Sequence, residues 1–185
     1  MMDGLRRLMN NRFVVTGGPG GGKTTVLAAL AERGYGFAPE SARRIIQERL
    51  MARVSPRPEP ALFAHEVLSA DIEKYREVDI SDGPRFFDRG VLDALWMLDA
   101  ENALTYDQAA RYVHDFPYNR RVFLLPPWKE IYDTDAERDQ TFEQSVEVFE
   151  GLKRWYRQWG YETLEVPRTH VGERVSFILE AVDNI

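Results

Sequence analysis

The stretch GGPGGGKT, residues 17–24, decides how the rest of this chain is interpreted. It satisfies the pattern G-x-x-x-x-G-K-[ST], whose fixed positions are here Gly17, Gly22, Lys23 and Thr24. An apolar run, FVV, precedes the stretch and a helical pattern follows it, which is the context that this motif requires. Backbone N–H groups that wrap a polyphosphate must point inward, and side chains along the loop would block that approach, so glycine is favoured there. The sequence therefore predicts a phosphate-binding loop between a strand and a helix.

The last residues of this motif supply a charge and a metal ligand. We expect Lys23 to place a compact positive charge between the terminal phosphates of ATP, and the Thr24 hydroxyl to ligate the Mg²⁺ that bridges them. The helix that begins here also directs the positive end of its dipole at the anion. A glycine-rich turn without a ligand is the structural alternative, and the spacing of the glycines does not leave the G-x-G-x-x-G of a dinucleotide-binding fold. The predicted nucleotide-binding residues are Gly17, Gly18, Pro19, Gly20, Gly21, Gly22, Lys23, Thr24 and Thr25.

Outside this loop, short apolar runs alternate with longer stretches of helical period, which is typical of an α/β fold with a parallel sheet covered by helices. With 185 residues, the chain is predicted to form a single domain, 1–185. Strands are predicted at 12–16, 35–39, 85–88, 121–125 and 162–166. Helices are predicted at 23–33, 41–51, 61–78, 91–101, 106–115, 142–159 and 171–183, with a proline-rich loop at 55–60. We expect Gly34 to end the first helix in a left-handed conformation, and Thr105 with Gln108 to form a capping box.

Composition and charge exclude several kinds of protein. Asp and Glu total 30 against 24 Lys and Arg, so the formal charge of −6 disfavours wholesale binding to nucleic acid or to an anionic membrane. The sequence has no cysteine, which excludes a disulfide scaffold, a thiolate zinc site and a cysteine nucleophile, and makes the reducing cytoplasm the expected compartment. No run of about 18 apolar residues occurs, so we expect no membrane-spanning segment. The 4 tryptophans fall in apolar patterns and are expected in the core.

A second candidate site residue ends the predicted strand RFFD. In α/β folds, ligand chemistry lies at the carboxyl edge of the sheet, so the Asp88 carboxylate can hold Mg²⁺ through water. Arg89, beside it, can meet a phosphate or sugar oxygen. The structural alternative is that Asp88 caps the next helix and Arg89 is solvated. Once the phosphate-binding loop is accepted, we favour the functional interpretation.

Glu40 follows the second predicted strand, just before a helix begins at Ser41. In a fold whose first strand carries the phosphate-binding loop, this position can face the phosphoryl acceptor, and a carboxylate there can take a proton from an attacking hydroxyl. Arg43 and Arg44, one turn further on, can orient an anionic acceptor. In the structural alternative, Glu40 only stabilises the helix N-terminus and the two arginines are solvated. The sequence leaves both interpretations open.

Residues 126–140, PPWKEIYDTDAERDQ, are rich in charge, poor in periodicity and leave the carboxyl end of the fourth strand. We expect a lid here that closes over the phosphates, with Arg138 or Lys129 neutralising the charge that develops during transfer. A plain solvated loop is the alternative. Three histidines lack metal-ligand spacing and are interpreted as structural or surface residues, although the last lies in a loop that often approaches adenine: His65, His114 and His170.

Taken together, the motifs GGPGGGKT, PESARRII, FFDRG, PPWKEIYDTDAER and GERVSFIL resemble a small AAA-type P-loop family. This family includes the nicotinamide riboside kinase domain of the NadR type and is more distantly similar to nucleoside and nucleotide kinases. The resemblance covers residues 12–179 and implies a three-layer α/β/α P-loop NTPase fold, with a five-stranded parallel sheet in the order 2-3-1-4-5. It also implies ATP as the donor, a lid at 126–140, Glu40 as the base, and Asp88 with Arg89 as the metal and phosphate pair.

These expectations lead to three hypotheses, of which we favour the first, a small-molecule kinase, and keep the other two as alternatives. In the first, the protein transfers the γ-phosphate of ATP to a hydroxyl or phosphate of a small nucleoside-like metabolite. In the second, it is a nucleotide-dependent switch or slow ATPase that acts on a protein partner, and the lid is a segment that orders around the γ-phosphate. A polynucleotide 5′-kinase would need a basic channel, which the acidic total disfavours.

Overall fold

Five parallel strands form the centre of the fold in the computed structural model, which describes residues 10–131 and 141–184. The strands are β1 (Arg12–Thr16), β2 (Gly36–Ala38), β3 (Arg85–Asp88), β4 (Arg121–Leu124) and β5 (Glu162–Glu165). They lie in the order β2-β3-β1-β4-β5, which confirms the sheet implied by the family resemblance. β1 is the central strand, and its Val14 is in parallel register with Phe87 on one side and Val122 on the other.

Seven helices cover the sheet within the described ranges. They are α1 (Lys23–Glu32), α2 (Ser41–Met51), α3 (Pro60–Glu77), α4 (Val91–Ala100), α5 (Tyr106–Asp115), α6 (Phe142–Gln158) and α7 (Val171–Asp183). Gly34 follows α1 with a φ of 90°, and Thr105 and Gln108 form a capping box at α5, both as predicted. None of these helices combines the length and the apolar character needed to cross a bilayer.

Several element bounds differ from the prediction by a residue at one end or both. β2 is shorter at both ends, because Pro39 has no N–H with which to extend the ladder and Tyr35 instead packs against Phe86 at 5.9 Å between ring centroids. α3 begins at Pro60, since proline suits the first helical position and the Glu59 carboxylate accepts hydrogen bonds from two backbone N–H groups of the first turn. β4 and β5 each end one residue earlier than predicted.

Strand alternation divides the buried side chains between two apolar cores, one on each face of the sheet. Phe13 and Val15 of β1 face a core that contains buried residues of α1 and α7. Val14, between them, faces the other core, to which α2 to α6 contribute. Because helices cover both faces of the sheet, β1, β3 and β4 are mostly buried apolar runs, whereas the edge strand β5, ETLE, is exposed at both ends. The architecture is the three-layer α/β/α arrangement that the resemblance implies.

The carboxyl ends of β1, β3 and β4 meet at one edge of the sheet, and this edge carries the residues singled out from the sequence. The glycine-rich loop leaves β1, and Asp88 ends β3. α6 also reaches this edge, because the Ser145 hydroxyl in its first turn donates a hydrogen bond to the carbonyl of Pro19 at 2.5 Å. The loop is therefore supported from outside by a helix that lies far from it in sequence.

Candidate functional site

The glycine-rich loop has a backbone conformation that side chains would prevent. Gly17 has a φ of 133°, and a Cβ atom there would lie 2.3 Å from the carbonyl oxygen of Leu125. A Cβ atom on Gly18 would lie 2.4 Å from the carbonyl oxygen of Ser145, in α6. Glycine is thus required at these two positions by contact with the neighbouring strand end and helix. The same packing restricts the backbone at the start of the loop.

Lys23 begins α1 and folds back over this loop. Its Nζ donates hydrogen bonds to the carbonyl oxygens of Gly17 at 3.3 Å and Gly18 at 3.1 Å, and the residue is 9% exposed. Thr24 and Thr25 follow on the exposed side of the helix, and both line the main cavity of the protein. A lysine held over such a loop is placed to contact an anion that the backbone N–H groups bind.

Asp88 is buried at the end of β3, where it is 7% exposed. Its Oδ1 has no hydrogen-bond partner among the described residues, and it caps no helix. Burial raises the pKa of Asp88 above its usual value, although Lys23 acts in the opposite direction. An unpartnered buried carboxylate near a lysine and a helix-start threonine fits a hard cation such as Mg²⁺. Asp88 is not among the residues that line the cavity.

No cluster of three or more His, Asp or Glu side chains with metal-ligand geometry occurs in residues 10–131 and 141–184. Mg²⁺ sites in nucleotide-binding proteins use one or two protein ligands together with phosphate oxygens, so a dedicated cluster is not required. The donor set predicted for Mg²⁺, Thr24 and Asp88, is of that kind.

Arg89 and Glu40 meet across the same cavity. Arg89 Nε donates to Glu40 Oε1 at 3.0 Å, and its Nη1 lies 3.3 Å from Asp93 Oδ1. Burial disfavours the charged guanidinium, but Glu40 and Asp93 outweigh this and raise the pKa of Arg89 above its usual value. For Glu40, burial acts against ionisation, but Arg89 and Lys23 outweigh it and lower the pKa of the carboxyl below its usual value. Both side chains are therefore charged at neutral pH.

The backbone of Arg89 is in the left-handed region, with a φ of 58°. Non-glycine residues rarely adopt this conformation, and it persists where the surroundings fix it. Here Glu40 and Asp93 hold the side chain from two sides. Glu40 occupies the N-cap position of α2, yet its side chain makes no capping hydrogen bond and pairs with Arg89 instead.

Sequence reasoning missed Asp93, which organises this part of the site. The carboxylate is 3% exposed and accepts hydrogen bonds from the Thr16 hydroxyl, from Gly90 N–H at 3.0 Å and from the Tyr156 hydroxyl at 2.6 Å. It thereby ties the end of β1 and helix α6 to Arg89. The available signal was an acidic residue inside the apolar run VLDALWML, four residues after Arg89.

Asp71 is a second buried carboxylate that the sequence analysis did not single out. It is 1% exposed, and its Oδ1 accepts from the Ser41 hydroxyl at 2.6 Å and pairs with Lys74 Nζ at 2.7 Å. Burial outweighs these partners and raises the pKa of Asp71. Its position on the apolar face of α3, four residues after the buried Val67, was the signal. Lys74 also donates to the carbonyl oxygen of Arg89 at 3.2 Å.

A cavity of about 750 Å³ is lined by residues 19–25 of the glycine-rich loop and by Glu40, Asp71, Arg89 and Asp93. On the side of β4 and β5 its walls include Trp128, Ile131, Thr169, His170, Val171 and Arg174. On the side of β2 and β3 its walls include Ser41, Arg43, Arg57, Phe63, Asp71 and Trp96. The expectation that the tryptophans pack in the core is confirmed for Trp155, Trp159 and Trp96, although Trp96 also lines the cavity, and is wrong for Trp128, which lines the cavity and packs in neither core.

The remaining candidates divide between the cavity and the surface. Arg43 lines the cavity, whereas Arg44 is exposed and pairs with Glu48 at 3.0 Å. His65 and His114 are exposed, and His170 lies in the cavity wall. Lys129 is exposed in a 3₁₀ turn, Lys129–Ile131, at the start of the proposed lid. Arg138 and the rest of that segment, 132–140, lie outside the described residues.

The sequence matches the family model described as "AAA domain" over residues 12–174. The chain belongs to this AAA domain family. The resemblance inferred from the motifs is thereby confirmed. No curated protein matches the AAA domain chain.

Two solved structures illustrate what this AAA domain is similar to. A NadR protein in complex with NR has a TM-score of 0.67 and 18% sequence identity, over 97% of this chain and 52% of that chain, so this chain spans about half of its length. A deoxyadenosine kinase from M. mycoides with bound dATP has a TM-score of 0.56 and 15% identity, over 93% of this chain and 98% of that chain. At such identities the likeness establishes the three-layer α/β/α fold alone.

Proposed function

We propose that this protein is an ATP-dependent kinase that transfers the γ-phosphate of ATP to a hydroxyl or phosphate group of a small nucleoside-like metabolite. The observation that carries the proposal is the ion-paired chain of Glu40, Arg89 and Asp93, which lines the same cavity as the glycine-rich loop. A carboxylate and an arginine on the far side of a phosphate-binding loop are the groups that phosphoryl transfer to a hydroxyl uses.

The charge of the cavity supports an anionic ligand. Its lining contains five cationic side chains (Lys23, Arg43, Arg57, Arg89 and Arg174) and three carboxylates (Glu40, Asp71 and Asp93). The whole chain has the opposite balance, with a net charge of −6. A positive cleft in an acidic protein concentrates anions at that cleft and not over the surface in general.

The donor half of the proposed mechanism uses main chain and Lys23. Backbone N–H groups of the glycine-rich loop other than Pro19, which has none, bind the phosphates, and Lys23 exchanges its hydrogen bonds with the loop carbonyls for contact with phosphate oxygens. Thr24 and Asp88 are the residues that hold Mg²⁺, which neutralises phosphate charge when it is bound. The cavity wall at Trp128 and His170 then receives the base of the nucleotide.

The acceptor half uses Glu40 and Arg89. The acceptor oxygen forms a bond to the γ-phosphorus while the bond from that phosphorus to the leaving ADP oxygen breaks, and Glu40 takes the proton of the hydroxyl. The lowered pKa of Glu40 keeps it ionised and able to accept that proton. Arg89, fixed by Asp93, places positive charge beside the transferring group.

The walls on the acceptor side fit a flat ring that carries polar groups. Phe63, Val67 and Trp96 supply apolar surface, and Ser41 and Asp71 supply hydrogen-bonding groups. Ligand sites are usually apolar with a few placed polar groups. The solved relatives named above bind NR or dATP, which are molecules of this size and character. The absence of cysteine favours the cytoplasm as the place where the reaction occurs.

The test is ADP formation from Mg-ATP across a panel of ribonucleosides, deoxyribonucleosides and their monophosphates, with Lys23→Ala as the blank. We expect at least one acceptor to raise turnover well above the rate with water, together with a phosphorylated product. ADP formation that no acceptor stimulates would identify a slow ATPase or nucleotide switch instead. Absence of ATP binding by the wild-type protein would reject both functions.

A further inference from the structure

Arg174 reaches the glycine-rich loop from the first turn of α7. It is 4% exposed, lines the cavity, and its Nη2 donates a hydrogen bond of 2.6 Å to the carbonyl oxygen of Gly21. Its guanidinium carbon lies 6.0 Å from the ring centroid of Trp128. A cation from the last helix is thus bonded to the main chain of the loop that begins after the first strand.

The charge of Arg174 has no acidic partner among the described residues, and its Nε is buried without a hydrogen-bond partner there. Burial lowers the pKa of this guanidinium below its usual value. An unpaired buried charge is costly to fold, and the hydrogen bond to the Gly21 carbonyl is the polar contact that offsets part of that cost.

The contact with Gly21 also fixes the orientation of one peptide group. In a trans peptide the C=O and the following N–H point in opposite directions, and no cis peptide bond occurs in the described residues. Because the Gly21 carbonyl is held towards Arg174, the Gly22 N–H points away from Arg174. Without this bond, a peptide between two glycines can rotate with little steric resistance.

We infer that Arg174 is a positioning residue for the phosphate-binding loop, which aims the Gly22 N–H at the phosphate tail of the nucleotide. The inference rests on the donor half of the proposed function and does not involve the acceptor. It makes Arg174 a determinant of phosphate binding and not of base recognition, although Arg174 lies near Trp128 in the cavity wall.

The test compares three variants by calorimetry with two ligands, Mg-ATP and Mg-tripolyphosphate, which has no base or sugar. Arg174→Met removes the charge and the donor, and Arg174→Lys keeps both in a different shape. Arg168→Met is the matched control, because Arg168 also donates to a backbone carbonyl, that of Pro127 at 2.9 Å, but does not line the cavity. We expect Arg174→Met to weaken both ligands by about tenfold, Arg174→Lys to weaken both by less, and the control to leave both unchanged.

Three results would overturn the inference. A loss for Mg-ATP without a loss for Mg-tripolyphosphate would assign Arg174 to the base or sugar. Unchanged affinities in Arg174→Met would leave it a purely structural residue, and a wild-type protein that binds Mg-ATP but not Mg-tripolyphosphate would show that the loop alone does not hold phosphates. If Arg174→Met does not fold, the Arg174→Lys affinities decide by the same criteria. A wild-type protein that binds no Mg-ATP rejects the proposed function itself.

Discussion

The two halves of the cavity are built in different ways. The donor half depends on main chain: the glycine-rich loop is continuous in sequence, and neighbouring carbonyls leave no room for a Cβ atom on Gly17 or Gly18. The acceptor half depends on side chains from separate elements, since Glu40 follows β2, Arg89 follows β3 and Asp93 lies within α4. The donor half is therefore specified locally, and the acceptor half is specified by ion pairs that form only when the chain has folded.

Under the proposed function, this difference indicates that the acceptor half of the cavity determines which substrate is used. A main-chain cradle recognises phosphate and tolerates changes elsewhere, because its donors are the same in every residue. A side-chain site changes its ligand when one side chain changes. The variants below challenge this contrast by asking whether the two halves can be damaged independently.

Lys23→Ala tests the donor half and has the largest expected effect. The substitution removes the ammonium group that donates to the carbonyls of Gly17 and Gly18. We therefore expect kcat/KM to fall by about 10³-fold or more, with weaker binding of Mg-ATP. Lys153→Ala is the control, since Lys153 of α6 pairs with Glu165 of β5 and does not line the cavity. Steady-state kinetics and calorimetry measure the two quantities. Unchanged kinetics in Lys23→Ala would remove the basis for the donor site.

Glu40→Gln tests whether the acceptor half can fail alone. Loss of the base is expected to lower kcat by about 10²-fold while the affinity for Mg-ATP is retained. Glu48→Gln, in the same helix but exposed and paired with Arg44, is expected to behave as wild type. Single-turnover rates and ATP binding should be measured together. A parallel loss of ATP affinity and rate would mean that the two halves are not separable.

Asp93→Asn probes the group that holds Arg89 in place. The amide keeps one acceptor oxygen but loses the charge, leaving buried donors from Thr16 and Tyr156 partly unsatisfied. We expect the free energy of unfolding to fall by about 2 kcal/mol, together with kcat. Asp99→Asn, exposed on the same helix, serves as the reference in urea unfolding. Stability equal to that of the reference would contradict the role assigned to Asp93.

Asp71→Asn has the smallest expected effect and concerns pH. Because the pKa of Asp71 is raised in the folded state, its contribution to stability is present below the unfolded value of about 3.8 and is lost as pH rises through the raised value. The variant should lack this decline in stability. Asp88, whose pKa is also raised, should still contribute a decline of the same sign. Measurements of the free energy of unfolding from pH 3 upward test the sign of this pH dependence. Asp82→Asn is the exposed control. An identical pH slope in wild type and variant would refute it.

The two halves also differed in how far the sequence revealed them. The loop, the strand that precedes it and the helix bounds follow from local patterns, and the sheet order followed from the family resemblance. Glu40 and Arg89 were singled out as candidates, but their ion pair joins residues 49 positions apart and has no local signature. Asp93, Asp71 and Arg174 escaped notice because a polar residue in an apolar pattern does not reveal its partner, which folding alone brings near. Trp128 was assigned to the core because a cavity wall and a core have the same apolar pattern.

Helix α6 touches both halves of the cavity. Ser145, in its first turn, bonds to the carbonyl of Pro19, and Tyr156, near its end, bonds to Asp93. At 1.5 Å of rise per residue, these two contacts are separated by about 16 Å of rod. The helix thus fixes the spacing between the glycine-rich loop and Asp93. Inserting a single residue between Ser145 and Tyr156 would rotate one contact by about 100° away from its partner, so a lengthened α6 could not keep its bonds to both the Pro19 carbonyl and Asp93.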